Sequence, residues 1–279
     1  MAVFDYEGKV WGGVEIKPSP FYIQGLKLKY TLQDLKNVSG RVLDVGCGGG
    51  NIARGIKKYR PDLEVYGIDI SQKAINVAKS RSGKVTFSVA PSEKIPFPDN
   101  YFDMVTMYDV LEHVDDPLLV LKEVRRVLKD SGVFHIFLPL DRQKGTIYEL
   151  LYKLGWQSKN KFTGHLVAYS DKTASDIYKK GGFKVIKKRF SFHYFFSVFD
   201  ILYFTYLDIS GQKPTSSIEG EIEKRRDNVF FSIFNLFYRC IVAVGYIESL
   251  LLKDLPGGGG DYLLIKLLIK EKSIKKNDV

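Results

Sequence analysis

The amino-acid sequence predicts an α/β fold in which a seven-stranded, mostly parallel sheet is flanked by helices. Two observations support this prediction. Residues 41–139 alternate short apolar runs with segments of helical periodicity, which is the pattern of a parallel sheet covered on both faces. The chain has 279 residues, of which 45% are hydrophobic and 27% charged, so it is long enough to bury one large core.

Strands and helices alternate in the first half of the chain. Arg41–Val45 is apolar and ends at glycines, which predicts a strand that turns into a helix. Ser71 is placed to cap the next helix. Asp116 and Pro117 are typical of an N-cap and a first helical position, and Gly132 is predicted to end that helical unit. The remaining elements predicted here are a helix at 51–59 and strands at 64–68, 84–89, 101–107 and 133–138.

The second half carries two more strands with a long helical segment between them. A looser stretch at 140–169 precedes a helix near 171–180 and a sixth strand at 183–190. Tyr262–Ile269 is apolar enough to close the sheet. Residues 192–259 far exceed the usual connection of about 2 to 6 residues, so they are predicted to be a helical insertion. The predicted organisation is an N-terminal helical extension at 1–39, a core at 40–191 and 260–271, and the insertion at 192–259.

Charge and cysteine content restrict the function classes. The formal charge of +10 at pH 7 is compatible with nucleic acid binding, an anionic membrane surface or an ordinary basic surface. Cys47 and Cys240 are the two cysteines, too few for a disulfide framework or a cysteine metal cluster. Acidic residues interrupt the first positions, so no secretory leader is expected and the protein is predicted to be cytoplasmic, with peripheral membrane contact as an alternative.

A glycine loop after the first strand is the strongest functional signal. It contains Asp44, Gly46, Cys47, Gly48 and Gly50. Its glycines leave backbone N–H groups open to a ligand where the strand turns into a helix. A dinucleotide site would need G-x-G-x-x-G, and this chain has asparagine at the last of those positions. Asp44, two positions before the first glycine, instead favours a ligand with a cationic amino-acid end.

A second carboxylate follows the next strand. Asp69 stands where a carboxylate can accept hydrogen bonds from both hydroxyls of a ribose. Ile70 after it is placed to flank an adenine. A tight turn without a ligand would explain the glycines, and a helix cap would explain Asp69. The occurrence of both features in this order on adjacent predicted strands instead favours a nucleoside-containing ligand.

These motifs resemble those of class I S-adenosyl-L-methionine-dependent methyltransferases, and within them the type 11 methyltransferase domain related to ubiquinone and menaquinone C-methyltransferases. Val42–Gly50 and Tyr66–Ser71 are similar to its first and second motifs. Ser92–Asp103 is similar to the family's LPFPDNSFD stretch and Asp109–Pro117 to its LEHVxDP stretch. The resemblance, good over about 40–140, implies a Rossmann-like fold and S-adenosyl-L-methionine as cofactor.

One position departs from the family pattern. Where members commonly carry an acidic residue that accepts a hydrogen bond from the adenine amino group, this chain has Pro91. Adenine recognition would then use the backbone at 90–93 or the side chains of Ser92 and Glu93. Tyr108, at the end of the fourth strand, completes the predicted cofactor site.

Three side chains are candidates for catalysis. His113 follows the fourth strand on the side expected for the methionine end of the cofactor, and it would act as a base if the acceptor is a hydroxyl. The alternative is that it only shapes the pocket. His165 and Tyr169 lie in a loop that borders the acceptor pocket in the resembling family. His135 lies in an apolar strand and is interpreted as a core residue, and no metal site is predicted because no metal-ligand spacing occurs.

The insertion offers two apolar segments, Phe192–Ile209 and Val229–Leu252, joined by a polar stretch at 211–228 that is predicted to be a solvated loop or a short exposed helix. The second is about long enough to cross a bilayer, but charged residues interrupt it. The two helices either pack as plain core, form an apolar lid over the acceptor, or lie on a membrane.

The predicted function is transfer of a methyl group to a small acceptor that is apolar or lipid-linked. Nucleic-acid methylation is disfavoured, because residues 108–111 do not form the Asn/Asp-Pro-Pro-Tyr arrangement that holds an exocyclic amine. The third alternative is a non-catalytic protein that binds S-adenosyl-L-methionine.

Overall fold

The computed structural model describes residues 7–81, 83–212, 217–225 and 227–267. The strands in chain order are β1 Arg41–Val45, β2 Glu64–Asp69, β3 Thr86–Val89, β4 Phe102–Tyr108, β5 Leu128–Pro139, β6 Phe183–Ser191 and β7 Gly259–Lys266. They form one seven-stranded sheet in the order β3-β2-β1-β4-β5-β7-β6. The first five strands pair in parallel, whereas β7 runs antiparallel to both β5 and β6. The predicted fold class is confirmed.

Helices cover both faces of this sheet. The helices are α1 Ile23–Asp34, α2 Asn51–Tyr59, α3 Gln72–Ser80, α4 Pro117–Val127, α5 Ile147–Lys153, α6 Ser158–Thr163, α7 Asp171–Lys180, α8 Phe195–Ser210, α9 Ile218–Lys224 and α10 Val229–Leu251. On one face Val124 of α4 and Tyr178 of α7 are buried in the larger core. On the other face Leu28 of α1, Ile56 of α2 and Ile75 of α3 form a second core. Both faces are therefore apolar, as a central parallel sheet requires.

The predicted caps begin two of these helices. Ser71 accepts a hydrogen bond from the N–H of Ala74 at 3.1 Å. Asp116 accepts from the N–H groups of Leu118 and Leu119 at 3.0 and 3.1 Å. Each cap satisfies donors that the first turn of a helix leaves unpaired, and so fixes where the helix starts.

Some boundaries differ from the prediction. The helix predicted to end at Gly132 ends at Val127, because the fully buried Leu128 already pairs with Phe102 as the first residue of β5. The looser stretch at 140–169 contains the two short helices α5 and α6. The closing strand starts at Gly259 rather than Tyr262, and residues 268 and 269 of the prediction lie outside the described residues.

The N-terminal extension is only partly helical. Among the described residues before β1, α1 is the helix, and residues 7–22 form turns and irregular backbone apart from the helical turn that leads into α1. Leu28 and Leu35 are fully buried against the sheet side of α2. This segment is therefore part of the core structure, which its irregular hydrophobic pattern did not indicate.

The insertion packs helices α8, α9 and α10 together around the fully enclosed Tyr238. The stretch predicted to be exposed contains α9, whose Glu219 and Ile222 are buried. Glu219 accepts hydrogen bonds from the Tyr238 hydroxyl and from the backbone N–H of Gln24, both at 3.2 Å. The prediction that this stretch is exposed was wrong at α9. The local sequence pattern cannot show that a polar side chain such as Glu219 is buried, because its two hydrogen-bond donors come from other parts of the chain.

One described helix segment, Phe231–Leu251 in α10, is long and apolar enough to cross a membrane by length and composition alone. Only 28% of its apolar window is buried inside the structure.

Candidate cofactor and acceptor site

The glycine loop leaves the carboxyl end of β1. Gly46, Gly48 and Gly50 have φ of 70°, 53° and 79°, a left-handed conformation that side chains with a Cβ rarely adopt. The N–H groups of Gly46 and Cys47 donate to the carbonyl of Ile68 at 2.8 and 2.9 Å. These bonds hold the loop against the end of β2, beside Asp69.

Asp69 is joined to this loop. Its Oδ2 accepts from the N–H of Gly48 at 2.8 Å and its Oδ1 from the N–H of Ser71 at 2.9 Å. Burial raises the pKa of Asp69, while these two backbone donors act to lower it. Each carboxylate oxygen retains a second acceptor position, which suits a pair of ribose hydroxyls. Ile70 beside it is 55% exposed, as a residue that flanks an adenine must be.

Asp44 lies beneath the loop and is almost fully buried. Its Oδ1 accepts a hydrogen bond from the Thr106 hydroxyl at 2.8 Å. Burial raises the pKa of Asp44 to about 7. A cationic group nearby would favour the ionised carboxylate, so the site is electrostatically suited to an ammonium ligand.

The other predicted cofactor residues differ in burial and in hydrogen bonding. Cys47 is buried, and its Sγ lies 3.6 Å from the carbonyl of Gly48. The Ser92 hydroxyl donates to Glu93 at 3.0 Å, and both side chains are half-buried. Tyr108 is different, because its hydroxyl is hydrogen-bonded to Thr31 of α1. Its ring packs in the core under α1, so a side-chain role for Tyr108 in cofactor binding is not supported.

The segment before α1 covers the glycine loop, which the sequence analysis missed. The carbonyl of Trp11 accepts from the N–H of Gly49 at 2.6 Å. Glu7 accepts from the N–H groups of Gln72 and Lys73 at 2.8 and 3.1 Å, at the start of α3. Because these contacts join residues far apart in the chain, no motif or periodicity in the sequence could have revealed them.

Two imidazoles meet beyond the carboxyl end of β4. His113 ends a 3-10 turn, Leu111–His113, and its Nδ1 lies 3.2 Å from the carbonyl of Gly164. His165 follows that glycine, and the two rings meet edge to face with centroids 5.1 Å apart. Burial, together with His165, lowers the pKa of His113 to about 4, so His113 is neutral near pH 7.

A buried carboxylate orients His165. Asp141 Oδ2 lies 2.7 Å from His165 Nδ1, and Asp141 Oδ1 accepts from Lys159 at 2.9 Å. Burial alone would raise the pKa of Asp141, but Lys159 and His165 hold it well below its usual range. In the neutral form of His165, the ionised Asp141 would therefore hold the ring proton on Nδ1 and leave Nε2 as the accepting nitrogen. The sequence analysis missed Asp141, although an acidic residue just past the end of a parallel strand is a usable signal.

Tyr169 and His135, the other side chains considered in the sequence analysis, are both buried in contact with neighbouring protein groups. Tyr169 is buried, and its hydroxyl lies 3.5 Å from the carbonyl of Leu111. Its catalytic role stays a prediction. His135 is fully buried between Asp34 and Asp261, which agrees with its interpretation as a core residue. Among the described residues, two clusters of potential metal donors do form, Glu112–His113–His165 and Asp34–His135–Asp261, and in each the donor atoms lie within 4.8 Å of one another.

One family of known proteins matches part of the chain. The sequence model of the family described as methyltransferase domain matches residues 43–136, the range that contains the glycine loop, Asp69 and His113. Residues 43–136 are a methyltransferase domain. The family predicted from the motifs is confirmed.

Curated relatives of the methyltransferase domain agree with this assignment. The chain is 39% identical to an uncharacterized methyltransferase of Schizosaccharomyces pombe over 37% of the chain and 41% of that protein. It is 35% identical to the ubiquinone biosynthesis O-methyltransferase of Alkalilimnicola ehrlichii over 54% of the chain and 63% of that protein. It is 36% identical to the demethylmenaquinone methyltransferase of Thermotoga maritima over 40% and 51% of the two chains. The chain thus spans between 41% and 63% of the length of these relatives.

Solved structures share the fold around the methyltransferase domain. The crystal structure of the cyclase SpnF aligns with a TM-score of 0.58 over 94% of this chain and 87% of its own, at 17% identity. Phosphoethanolamine N-methyltransferase 2 of Haemonchus contortus aligns with a TM-score of 0.57 over 87% and 53% of the two chains, at 20% identity. At these identities the likeness concerns the fold alone.

Proposed function

We propose that the chain is an S-adenosyl-L-methionine-dependent methyltransferase that methylates oxygen or carbon of a small acceptor that is apolar or lipid-linked. The observation that carries this proposal is the meeting of two sets of residues at one edge of the sheet. The glycine loop with Asp69 follows β1 and β2, and His113, whose ring contacts His165, follows β4, the other neighbour of β1. The two sets are close, since a Cβ at Gly46 would lie only 2.2 Å from the side chain of Val110, just before the turn with His113.

The chemistry divides between cofactor and protein. The bound cofactor would supply a methyl group on a sulfonium; an acceptor atom would attack that methyl carbon in line, and the thioether of the demethylated cofactor would leave. Asp69 would hold the ribose hydroxyls, and Asp44 would favour the cationic amino group. His165, oriented by Asp141, would take the proton of an acceptor hydroxyl on Nε2, and the neutral His113 stands beside it. Such general-base assistance contributes typically about 10² to 10⁴-fold in rate.

An apolar acceptor is supported by two observations. The relatives include proteins named for ubiquinone biosynthesis and for demethylmenaquinone methylation. The insertion also presents exposed apolar side chains along α8, where Val198, Leu202, Tyr206 and Ile209 are 45%, 64%, 54% and 83% exposed. These residues recur at helical spacing and form one stripe.

We further propose that this stripe lies on the cytoplasmic surface of an anionic membrane, which is where a lipid-linked acceptor would be met. Helix α10 also exposes apolar side chains, with Ile233, Leu236 and Ile247 at 63%, 62% and 55% exposure. Large exposed apolar patches are unusual for a monomer and typical of an interaction site. The formal charge of +10 adds attraction to anionic lipid. The alternative, in which the insertion serves only as a lid over the acceptor, needs no exposed stripe.

The test is cofactor binding followed by transfer of a labelled methyl group. Calorimetry is expected to show S-adenosyl-L-methionine binding to the full chain and none to Gly48→Arg, because a Cβ there would already lie 2.5 Å from the Trp11 carbonyl. Gly155→Arg is the matched control, since Gly155 also has positive φ but faces open space. Nicotinamide dinucleotide binding without a response to S-adenosyl-L-methionine would overturn the proposal.

The acceptor class is tested separately with apolar phenols and quinols, lipid extract and RNA. Label is expected in the apolar or lipid fraction. Label in RNA alone would contradict the acceptor class while leaving the methyltransferase assignment intact. Cofactor binding with transfer to none of these acceptors would favour the non-catalytic alternative, since one fold can host different functions.

A further inference from the structure

Three donor atoms converge at the acceptor side of the site. Glu112 Oε1 lies 3.9 Å from Nε2 of His113 and 3.9 Å from Nε2 of His165. The donor atoms of all three side chains lie within 4.8 Å of one another. None of these distances is a hydrogen bond, so the three atoms surround a common point without bonding to each other.

Both imidazoles are held with Nε2 towards that point. The Nδ1 atom of His113 faces the carbonyl of Gly164, and that of His165 faces the Asp141 carboxylate. Both partners are acceptors, so in the neutral form of each ring the proton lies on Nδ1 and Nε2 presents a lone pair. A histidine whose other nitrogen donates to a carbonyl or a carboxylate is the usual arrangement of a metal ligand.

Glu112 supplies the second, independent observation. Its side chain is fully buried, and neither carboxylate oxygen has a hydrogen-bond partner within the described part of the chain. A buried carboxylate without a partner is costly, and a cation placed against it would offset that cost. The backbone is fixed at this position, because the Glu112 carbonyl accepts from the N–H groups of Leu166 and Val167 at 2.8 and 3.1 Å.

The second cluster of potential donors provides a contrast. There Arg189 already donates to Asp34 at 2.8 Å and to Asp261 at 2.6 Å, and His135 lies between the two carboxylates. Hydrogen bonds and ion pairs within the protein therefore satisfy the carboxylates of that cluster. Among the described residues, the Glu112 carboxyl group has no such hydrogen-bond partner.

We propose that Glu112, His113 and His165 bind one divalent transition metal ion, with Zn²⁺ the best match to two imidazoles and a carboxylate. This donor set with an open fourth position is used by catalytic zinc sites. Zinc bonds of about 2.0 to 2.2 Å place tetrahedral ligands roughly 3.4 Å apart. The two separations of 3.9 Å between Glu112 and the histidines therefore need to close by about half an ångström. No metal site was predicted from the sequence, because His165 lies far along the chain from Glu112 and His113 and the three do not form a recognisable ligand spacing.

Ion binding does not depend on the proposed methyl transfer, whereas the role of the ion does. An acceptor oxygen in the open position would have its pKa lowered by the ion, which would replace proton removal by His165. The ion would thus make an acceptor hydroxyl nucleophilic near neutral pH, with its proton passing to solvent.

Metal binding is tested on the full chain after treatment with a chelator. Titration with ZnCl₂ alone is expected to give one site per chain by calorimetry and by elemental analysis of the dialysed protein. Glu112→Gln and His165→Asn are each expected to weaken binding at least tenfold, and Asp141→Asn by about 10 to 100-fold as the partner of a ligand. His193→Asn is the matched control, since His193 is bonded to the Leu255 carbonyl away from the cluster.

Two readouts keep the test independent of activity and of folding. Co²⁺ in place of Zn²⁺ should give the visible absorption of a tetrahedral site in the wild type and not in Glu112→Gln. Zn²⁺ should raise the Tm of the wild type and leave that of Glu112→Gln unchanged, while calorimetric affinity for S-adenosyl-L-methionine stays the same. Absence of bound zinc, or equal zinc affinity in Glu112→Gln and wild type, would overturn the metal site and leave the proposed methyltransferase function standing.

Discussion

His135 Nε2 and Asp261 Oδ2 lie 2.8 Å apart across the adjacent strands β5 and β7, and the histidine is fully buried. Asp34 Oδ2 of α1 lies 3.1 Å from the other ring nitrogen. Arg189 of β6 donates to both carboxylates. Two anions and two cations thus join α1 to three strands at the end of the sheet opposite β3.

This cluster predicts a specific dependence of stability on pH. Burial alone would lower the pKa of His135, but Asp261 and Asp34 raise it to about 9. Because this lies above the unfolded value of about 6.5, the stabilisation is complete below pH ~6.5 and is lost as the pH rises to about 9. Each unit of pKa elevation corresponds to about 1.4 kcal/mol, so the loss in the free energy of unfolding is a few kcal/mol at most.

Urea unfolding of the wild type and of His135→Gln between pH 6 and 10 measures this loss. The wild type is expected to lose stability from pH 6.5 to 9, and the variant to be less stable at pH 6 and flat across that range. His193→Asn serves as the control for removal of a histidine elsewhere. Parallel curves for wild type and His135→Gln would show that His135 is neutral in the folded state.

The glycine loop and Asp69 could be singled out from the sequence more readily than Asp141 for a physical reason. The glycine loop and Asp69 are set by local backbone chemistry, in which left-handed φ requires glycine at fixed spacing. Asp141 and Lys159 form a pair across a loop and a helix, so spacing along the chain carries no record of it. The contact of Tyr108 with α1 was equally invisible, because successive strand residues point to opposite faces and the local sequence does not show which face Tyr108 takes.

Asp69→Ala is predicted to weaken S-adenosyl-L-methionine binding. The substitution removes the expected contacts to the ribose as well as the bonds to the N–H groups of Gly48 and Ser71. Hydrogen bonds to charged groups are worth about 1.5 to 3 kcal/mol, so the Kd should rise by at least about tenfold in calorimetry. Asp62→Asn is the control, because it removes a carboxylate that forms an exposed ion pair with Arg60. An unchanged Kd would mean that Asp69 serves only to hold the loop.

Asp141→Asn is predicted to slow methyl transfer without changing cofactor affinity. An amide cannot hold the proton of His165 on Nδ1 in the same way, so kcat should fall by about 10²-fold and the pH profile should shift. Asp208→Asn, which removes an exposed pair with Lys161, is the control. An equal loss of cofactor affinity would indicate that Asp141 supports the fold of the site rather than the orientation of His165.

The last prediction concerns the exposed stripe of the insertion. Leu202 and Ile209 are 64% and 83% exposed on α8, so replacing both with Ser removes apolar surface without opening a cavity. Phe199 and Phe231 are poor choices for this test, because both rings are half-buried and contact neighbouring aromatic side chains. Leu119→Ser on α4, at an exposed apolar position of the core domain, is the matched control.

The wild type and the Leu119 variant are expected to float with vesicles that contain anionic lipid and to be released by salt, because charge attraction is screened over about 10 Å at 0.1 M ionic strength. The double Leu202→Ser and Ile209→Ser variant should stay in the soluble fraction and keep its affinity for S-adenosyl-L-methionine. If the wild type floats with neither anionic nor neutral vesicles, the stripe is not a membrane contact. A fall in methylation of a water-soluble apolar phenol by the double variant would then assign the insertion to the acceptor lid, since that substrate reaches the site without a membrane.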